Sequence, residues 1–263
     1  MTWPIDPTVY IGLAGLFFGY ALISRGRLDN AVRPLWFLAG LCTLWLALET
    51  PIDPIGDRSL QSMHMFQHVL LGFVAPPLLV LGLSPDVARL LVGRVPGLRA
   101  ICGPAPALAV ATIVMIFWHL PGPYNLTTAN EGVHVVEHLT FIAAGVILWW
   151  PVLEATGATL RHPLNDGLKL VYLLLATVPQ DAVALVLQFS REIFYSAYAH
   201  SPQILSGWTP AVDQNMAGVV LQLLGKVAFL AAGVVLVQRW LKDDGVLDED
   251  ELAGQPHGGG AGA

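Results

Sequence analysis

Two pairs of histidines, each with members four residues apart, stand in the middle of the chain. His64 and His68 form the first pair, and His134 and His138 form the second. On an α-helix, side chains four residues apart lie on one face, so both imidazoles of a pair can reach one metal ion. Glu137 stands beside the second pair and can bind the same ion or orient an imidazole. These residue types predict a histidine-rich metal site.

Five further polar side chains extend this candidate set. His119 lies at the end of an apolar run, and Asp213 begins another, where it is either an auxiliary ligand or a helix N-cap. Asp181 and Lys226 lie within apolar runs. We expect them either to form an ion pair or to act near the site. Gln214 is a further polar candidate beside Asp213.

The remaining histidines and the cysteines are not predicted to belong to the site. Cys42 and Cys102 form no CxxC or CxC pattern, so they indicate neither a thiolate metal site nor a disulfide. The other histidines lie in predicted loops or in the C-terminal tail, and we expect no role for them. They are His162, His200 and His257.

The composition is that of a membrane protein. Of the 263 residues, 55% are hydrophobic and 12% are charged, and the mean hydropathy is +0.62. Soluble domains carry roughly 25% charged residues. The formal net charge is -6 and no strongly basic segment occurs, which excludes nucleic acid as a partner.

Seven apolar stretches are long enough to cross a bilayer, which takes roughly 17–25 residues in a helix. They cover approximately 7–24, 34–50, 61–83, 104–120, 131–153, 167–189 and 214–240. We therefore predict an all-α fold, in which residues 1–242 form a bundle of seven transmembrane helices in the lipid bilayer. Residues 243–263 are acidic and rich in glycine, and we predict a disordered cytoplasmic tail.

Lys and Arg residues predict the orientation of this bundle, because they are enriched in cytoplasmic loops. With the N-terminus outside, the outer loops hold only Arg58 and Arg191. The inner loops and the C-terminal flank then hold Arg25, Arg27, Arg33, Arg89, Arg94, Arg99, Arg161, Lys169, Arg239 and Lys242. This distribution predicts an N-terminus outside and a C-terminus in the cytoplasm.

The predicted orientation places five histidines at one membrane level. His64 and His68 lie in the outer turns of the third segment. His119 lies in the last turn of the fourth segment, and His134 and His138 lie in the outer turns of the fifth. Ionisable groups inside a membrane are costly and usually functional. We therefore predict that three helices build one site near the outer face.

Several motifs in this region resemble those of a known family. They are His64-Met65-Phe66-Gln67-His68 with Ala75-Pro76-Pro77-Leu78-Leu79, Trp118-His119-Leu120-Pro121 with Tyr124, His134-Val135-Val136-Glu137-His138 with Trp149-Trp150-Pro151, and Asp213-Gln214-Asn215-Met216-Ala217-Gly218. Together they resemble the CtaG family of bacterial cytochrome c oxidase assembly factors, in its multi-span form without a CxC motif. The resemblance implies a multi-pass protein of the bacterial cytoplasmic (inner) membrane that is needed for oxidase maturation. It also implies a link to copper supply, with cytochrome c oxidase subunits as partners.

The ligand types also favour copper. Imidazole binds zinc, copper, iron and nickel, and the Irving–Williams order favours copper among them. A site at the outer level faces the compartment in which a respiratory oxidase exposes one of its copper centres. Our hypothesis is that the five histidines bind one or two copper ions, assisted by Glu137 and Asp213. We expect an assembly factor or metallochaperone rather than an enzyme.

Three other functions stay open at the level of sequence. Histidines on neighbouring helices can bind haem b in an electron carrier, although bis-histidine haem needs single residues that face each other across a gap. The residues from His134 to His138 are similar in order to the H-x-x-E-H motif of zinc proteases. A metal-dependent membrane enzyme with Glu137 or Asp181 as general base is therefore a second alternative. The third is a scaffold that holds oxidase subunits during assembly.

Overall fold

The structure is a computed structural model that describes Trp3, residues 5–201 and residues 207–243. The side chains of Glu154 and Asp243 are not described. Within these ranges the chain is all-helical and contains no strand. The tail predicted after residue 243 lies outside the described residues.

The helices follow one another with short connections, and one of them contains a π-helical turn at Leu70–Val74. They are α1 (Pro7–Ser24), α2 (Arg33–Leu48), α3 (Ile52–Arg58), α4 (Gln61–Leu81), α5 (Pro85–Arg94), α6 (Leu98–Ile101), α7 (Pro104–His119), α8 (Pro121–Ala129), α9 (Glu131–Trp149), α10 (Glu154–Gly157), α11 (Asp166–Phe189), α12 (Ser196–Ala199), α13 (Pro210–Gly225) and α14 (Val227–Asp243).

Five spans of the described chain are long and apolar enough to cross a membrane. They are α1, α4, α9, α11 and the combined stretch Pro210–Lys242 of α13 and α14. Two bent pairs raise the number to seven if each pair is one span. Helices α2 and α3 meet at 42°, and α7 and α8 meet at 70°. The chain is therefore a membrane protein with five to seven candidate spans.

Both bends occur at proline. Leu120 is extended (φ -69°, ψ 142°) because Pro121 disfavours a helical residue before it, and α7 therefore ends at His119. Pro51 has no N–H to donate to the carbonyl of Ala47, and α2 ends at Leu48. The sequence predicted an apolar span of approximately 34–50 and did not predict α3. After the second bend, α8 brings Tyr124 next to His64 in the first turns of α4.

Helix α4 lies at the centre of the molecule. Of its span, 78% is buried inside the protein, compared with 11% of α1. It packs against α2, α3, α9 and α13. At Gly56 of α3, a Cβ would lie 2.9 Å from the backbone nitrogen of His64, so only glycine allows this approach. The helix that carries the first histidine pair is thus enclosed by its neighbours.

The outer surface of the bundle is apolar. Large side chains on α1, α11 and α14 are mostly exposed, among them Ile11, Phe18, Leu174 and Leu230. Such a surface is costly in water but matches the hydrocarbon core of a bilayer. The histidines and Glu137 predicted to form the site instead point into the protein, around α4.

Candidate metal centre

Helix α4 carries two imidazoles that make no hydrogen bond within the described chain. His64 and His68 lie in its first two turns, and both residues are completely buried (0% exposed). Their ring centroids are 4.4 Å apart, as the spacing of four residues predicts. None of their four ring nitrogens has a hydrogen-bond partner within the described chain. Buried polar atoms are nearly always paired in folded proteins, so this arrangement indicates a ligand.

Glu137 of α9 faces both of these imidazoles. Its Oε2 lies 3.8 Å from Nε2 of His64, and its Oε1 lies 3.5 Å from Nε2 of His68. Glu137 is 0% exposed, and neither oxygen accepts a hydrogen bond from a described residue. The ligand atoms of the three residues lie within 4.8 Å of one another. We call His64, His68 and Glu137 the inner triad.

Asn130 fixes the point at which α9 begins. Its side chain accepts a hydrogen bond from the backbone nitrogen of Val133 (3.1 Å) and caps the helix. Because the helix begins at Glu131, His134, Glu137 and His138 fall in its first turns and share the side that is buried. The local sequence thus places one carboxylate between two imidazoles of the same helix.

A second group of ligand atoms lies beside the first. It contains Asp53 of α3 with His134 and His138 of α9, again within 4.8 Å of one another. The two ring centroids are 4.1 Å apart. Nε2 of each imidazole is buried and has no hydrogen-bond partner among the residues that the structure describes. We call Asp53, His134 and His138 the outer triad, because it is the more exposed of the two.

Asp53 is a site residue that sequence reasoning missed. Its carboxylate accepts a hydrogen bond from Nε2 of Gln67 (2.8 Å). Gln67 also donates to the carbonyl of Ala47 (3.0 Å). This carbonyl receives no helical hydrogen bond from Pro51, because proline has no N–H. The sequence signal that could have indicated Asp53 is its position: it is an acidic residue two positions after Pro51, where α2 is broken close to the histidines.

The two triads form one continuous cluster. The ring centroids of His64 and His134 are 5.4 Å apart and the rings are nearly parallel. His138 lies 6.2 Å from His68 and 6.5 Å from His64 by the same measure. Helices α3, α4 and α9 therefore carry the members of the two triads, and His119 of the fourth apolar segment, which we expected in the same site, lies beside them.

His119 lies next to the inner triad but belongs to neither triad. Its Nδ1 is 2.7 Å from the carbonyl oxygen of Met115, which can only accept, so Nδ1 carries the proton. The lone pair of Nε2 is then free, and no described residue donates to it. The ring lies 5.4 Å from that of His68. His119 is thus oriented as a neutral imidazole beside the inner triad.

Asp213 holds the N-terminus of α4 instead of facing the imidazoles. It accepts hydrogen bonds from the backbone nitrogens of Gln61 (2.6 Å) and Ser62 (3.3 Å) and from Oγ of Ser62 (2.5 Å). Nε1 of Trp208 donates to the same carboxylate (3.1 Å). Thr209, not Asp213, caps α13. The expected N-cap role within its own helix is therefore wrong, because the carboxylate caps a neighbouring helix.

Three buried tyrosines surround the cluster, and the sequence did not single them out as a group. The ring of Tyr124 lies 5.2 Å from that of His64 and stacks on Tyr195 at 3.7 Å. Tyr195 donates to the carbonyl of His119 (2.9 Å), and Tyr198 donates to that of Gly56 (2.7 Å). Burial raises the pKa of Tyr195 and of Tyr198, so both hydroxyls stay protonated and remain donors.

The other polar candidates have partners away from the triads. Nζ of Lys226 lies 2.7 Å from Oδ1 of Asp181, which confirms the ion pair that we expected as one of two possibilities. Gln214 joins α13 to the preceding loop. Its Oε1 accepts from the backbone of Phe194 (2.9 Å), and its Nε2 donates to the carbonyl of Glu192 (2.8 Å). These side chains support the packing of α11 and α13.

The remaining histidines and the cysteines lie apart from the cluster. His162 and His200 are exposed in connections. His257 lies outside the described residues. Cys42 and Cys102 are both free thiols. Burial raises the pKa of Cys102 to about 12, so this thiol stays neutral and is a poor ligand.

The donor set of the cluster fits a metal ion. Imidazole nitrogens and carboxylate oxygens bind transition metals when they are unprotonated and free of other partners. Burying such groups without hydrogen bonds costs several kcal/mol, roughly 2–7 per group relative to water. An ion at either triad would offset that cost. The arrangement is suited to holding a cation in a dry environment.

The comparison with known families agrees with the motifs. The model of the cytochrome c oxidase caa3 assembly factor family (Caa3_CtaG) matches residues 16–243, which is most of the chain. The matched region includes every member of both triads. No curated protein and no solved structure is significantly similar to the chain. The match confirms the resemblance carried by the histidine motifs: the chain belongs to the cytochrome c oxidase caa3 assembly factor family.

Proposed function

We propose that this assembly factor binds copper through its histidine cluster and supports the maturation of an oxidase copper centre. The observation that supports the proposal most strongly is the inner triad. Two imidazoles and a carboxylate are completely buried there, without hydrogen-bond partners in the described chain. A cation is the type of ligand that suits this set of nitrogen and oxygen donors.

The charge of the inner triad favours copper in its monovalent state. Two neutral imidazoles and one carboxylate carry a charge of -1 in total, so a Cu⁺ ion makes the site neutral. A divalent ion would leave one net positive charge in a region of low dielectric constant, which is unfavourable. Histidine ligands without thiolate also allow ligand exchange, as a protein that hands over copper requires.

We further propose that the chain spans the membrane seven times, with the N-terminus outside and the C-terminus in the cytoplasm. The distribution of Lys and Arg supports this orientation. Each bent pair then counts as one span, with Asp53 just after the first bend and His119 just before the second, both close to the other histidines. In the bacterial cytoplasmic membrane, the cluster would face the compartment where oxidase subunits take up copper. Those subunits are the proposed partners.

The geometry is less favourable for the other functions considered. Haem b held by two histidines requires that the macrocycle lie between them. The rings of His64 and His68 instead contact each other, and Phe141 packs on His68 at 4.5 Å. For a protease-like site, the carboxylate must be free to act on a metal-bound water. Glu137 instead lies between two imidazoles in a closed region.

The copper content of the purified protein tests the proposal. The test variant is H64A/H68A, and its matched control is H162A/H200A, which removes two exposed histidines outside the cluster. All three proteins are purified in detergent, incubated with Cu⁺ under reducing conditions, desalted and measured by mass spectrometry. We expect the wild type and the control to retain copper and the test variant to lose at least half of it. Equal copper in all three would contradict the proposal, and a Soret band would indicate haem.

Growth of cells that carry the same variants tests the link to the oxidase. H64A/H68A should lower oxidase activity, and added copper should restore part of it, because the defect is in supply. The H162A/H200A control should behave as the wild type. A loss of activity that copper does not relieve at any concentration would indicate a scaffold function instead.

A further inference from the structure

The two triads differ in their access to solvent. All three members of the inner triad are 0% exposed. In the outer triad, Asp53 is half-buried, His134 retains 9% exposure and His138 retains 7%. An ion that arrives from outside therefore meets the ligands of the outer triad first. The inner triad has no surface of its own through which an ion can enter.

The outer triad is built as a site and not merely as a surface cluster. Nε2 of His134 and Nε2 of His138 are buried atoms without hydrogen-bond partners in the described ranges. Gln67 holds the third ligand, Asp53, in place through a hydrogen bond of 2.8 Å. Because Gln67 stands one residue before His68 on α4, the same helix positions ligands of both triads.

We propose that Asp53, His134 and His138 form a second copper site, through which the ion enters and passes to the inner triad. This inference rests on the proposed function, since it assumes that the inner triad binds copper. It assigns a ligand role to Asp53 and an order to the two sites. The outer triad is the loading site, and the inner triad is the holding site.

The geometry provides a short path between the sites. The nearly parallel rings of His64 and His134 have centroids only 5.4 Å apart. On α9, Glu137 of the inner triad stands between His134 and His138 of the outer triad, next to His138. An ion can therefore exchange its ligands one at a time while it remains bound. The oxidation state is unchanged, and no electron is transferred.

The charges explain why the ion continues inward. Each triad contributes one carboxylate, so a Cu⁺ ion is neutralised at either position. The inner carboxylate has no hydrogen-bond donor in the described chain, whereas Asp53 already accepts one from Gln67. A carboxylate without donors gains more from a cation than one that is already stabilised. The inner triad is therefore the tighter site.

Copper titrations of D53N and of a matched control test this inference. The change Asp53→Asn removes the charge but keeps an amide oxygen that Gln67 can still donate to, so the fold should be retained. The control is D57N, which removes a charge of the same helix that acts on Asp53 and His134 but removes no ligand atom of either triad. Purified full-length protein in detergent is titrated with Cu⁺ against a coloured chelator, and stopped-flow absorbance gives the loading rate.

We expect the wild type and D57N to bind two ions and D53N to bind one. The single ion of D53N should enter up to about ten-fold more slowly than copper enters the wild type, because the charged ligand at the entry is gone. After oxidation to Cu²⁺, the wild type should show two magnetically coupled ions by electron paramagnetic resonance, and D53N an uncoupled one. This spectrum is independent of the loading rate.

Two results separate failure of this inference from failure of the proposed function. If the wild type binds one ion and D53N binds it equally fast, the loading site does not exist, although the inner triad still binds copper. If D53N binds two ions at the rate of the wild type, Asp53 is likewise not a ligand of a loading site. If wild type and D57N bind no copper, the proposed function itself fails.

Discussion

Glu137 and Asp213 are two buried carboxylates that both face α4, and they differ in what they contact there. Glu137 is 0% exposed and lies against the imidazoles of His64 and His68, with no hydrogen-bond donor in the described chain. Asp213 is 3% exposed and accepts hydrogen bonds from backbone and side-chain donors at the start of the helix. The sequence predicted both as members of one metal site.

The comparison separates a carboxylate that stabilises the fold from one that is prepared for a ligand. The charge of Asp213 is compensated by amide and hydroxyl donors and by the positive end of the helix dipole. Glu137 lies against two imidazoles but accepts no hydrogen bond from the described chain, so its burial is unfavourable until a cation arrives. Substitutions at the two positions should therefore have opposite effects on copper binding and on stability.

The largest effect is expected for Glu137→Gln. It removes the only carboxylate of the inner triad, and copper affinity should fall by about a hundred-fold or more, above the range for groups that merely orient ligands. Chelator competition measures this change. Without copper, the variant should be at least as stable as the wild type, because an uncompensated buried charge is removed. Unchanged affinity would show that Glu137 is not a ligand.

Asp213→Asn should show the opposite pattern. Loss of charged hydrogen bonds at the start of α4 should lower the free energy of unfolding by about 2 kcal/mol, as for other helix caps and charged acceptors. Thermal unfolding in detergent measures this loss. The number of bound copper ions should be the same as in the wild type. A variant that keeps its stability and loses its copper would place Asp213 among the ligands.

A smaller effect is expected for Lys226→Met, which breaks the ion pair with Asp181. Both side chains are more than a quarter exposed (29% and 27%), so the loss of stability should be only about 1 kcal/mol or less. The double variant D181N/K226M should recover part of it, because no charge is left unpaired. Copper binding should not change in either variant. A loss of copper here would mean that the pair acts on the site.

The smallest effect is expected for Tyr195→Phe. The variant loses one hydrogen bond to the carbonyl of His119 and keeps the ring that stacks on Tyr124. Stability should fall by about 0.5 kcal/mol, with little change in copper affinity. Because burial raises the pKa of Tyr195, the wild type should show no titration of this hydroxyl near neutral pH. A large loss of copper would show that His119 depends on this contact.

The parts of the molecule that depend on local sequence could be predicted. Apolar runs of sufficient length indicated the spans, and the all-helical fold with five to seven candidate spans agrees with them. The spacing of His64 and His68, and of His134 and His138, predicted that each pair shares one helical face. The rings within each pair lie within 4.4 Å of each other. That these residues bind metal stays a prediction.

The parts that depend on tertiary contacts could not be predicted. Asp213 and Gln61 are separated by 152 positions, and no local pattern shows that the carboxylate reaches the start of α4. Asp53 lies in a short helix after a proline break, too polar and too short to register as a span. Tyr195 and Tyr198 follow a span, where aromatic residues usually indicate the membrane interface.

X-ray absorption spectroscopy of the copper-loaded protein is the most direct test of the central claim, which is that the inner triad binds copper. Wild-type protein loaded with one Cu⁺ ion should show only nitrogen and oxygen neighbours, with the outer-shell scattering of imidazole rings. The variant H64A/H68A/D53N, in which the loading site is disabled as well, should lose this imidazole signal together with its bound copper. A sulfur neighbour in the wild type, from a Cys or Met side chain, would contradict the account. An unchanged spectrum in H64A/H68A/D53N would contradict it as well.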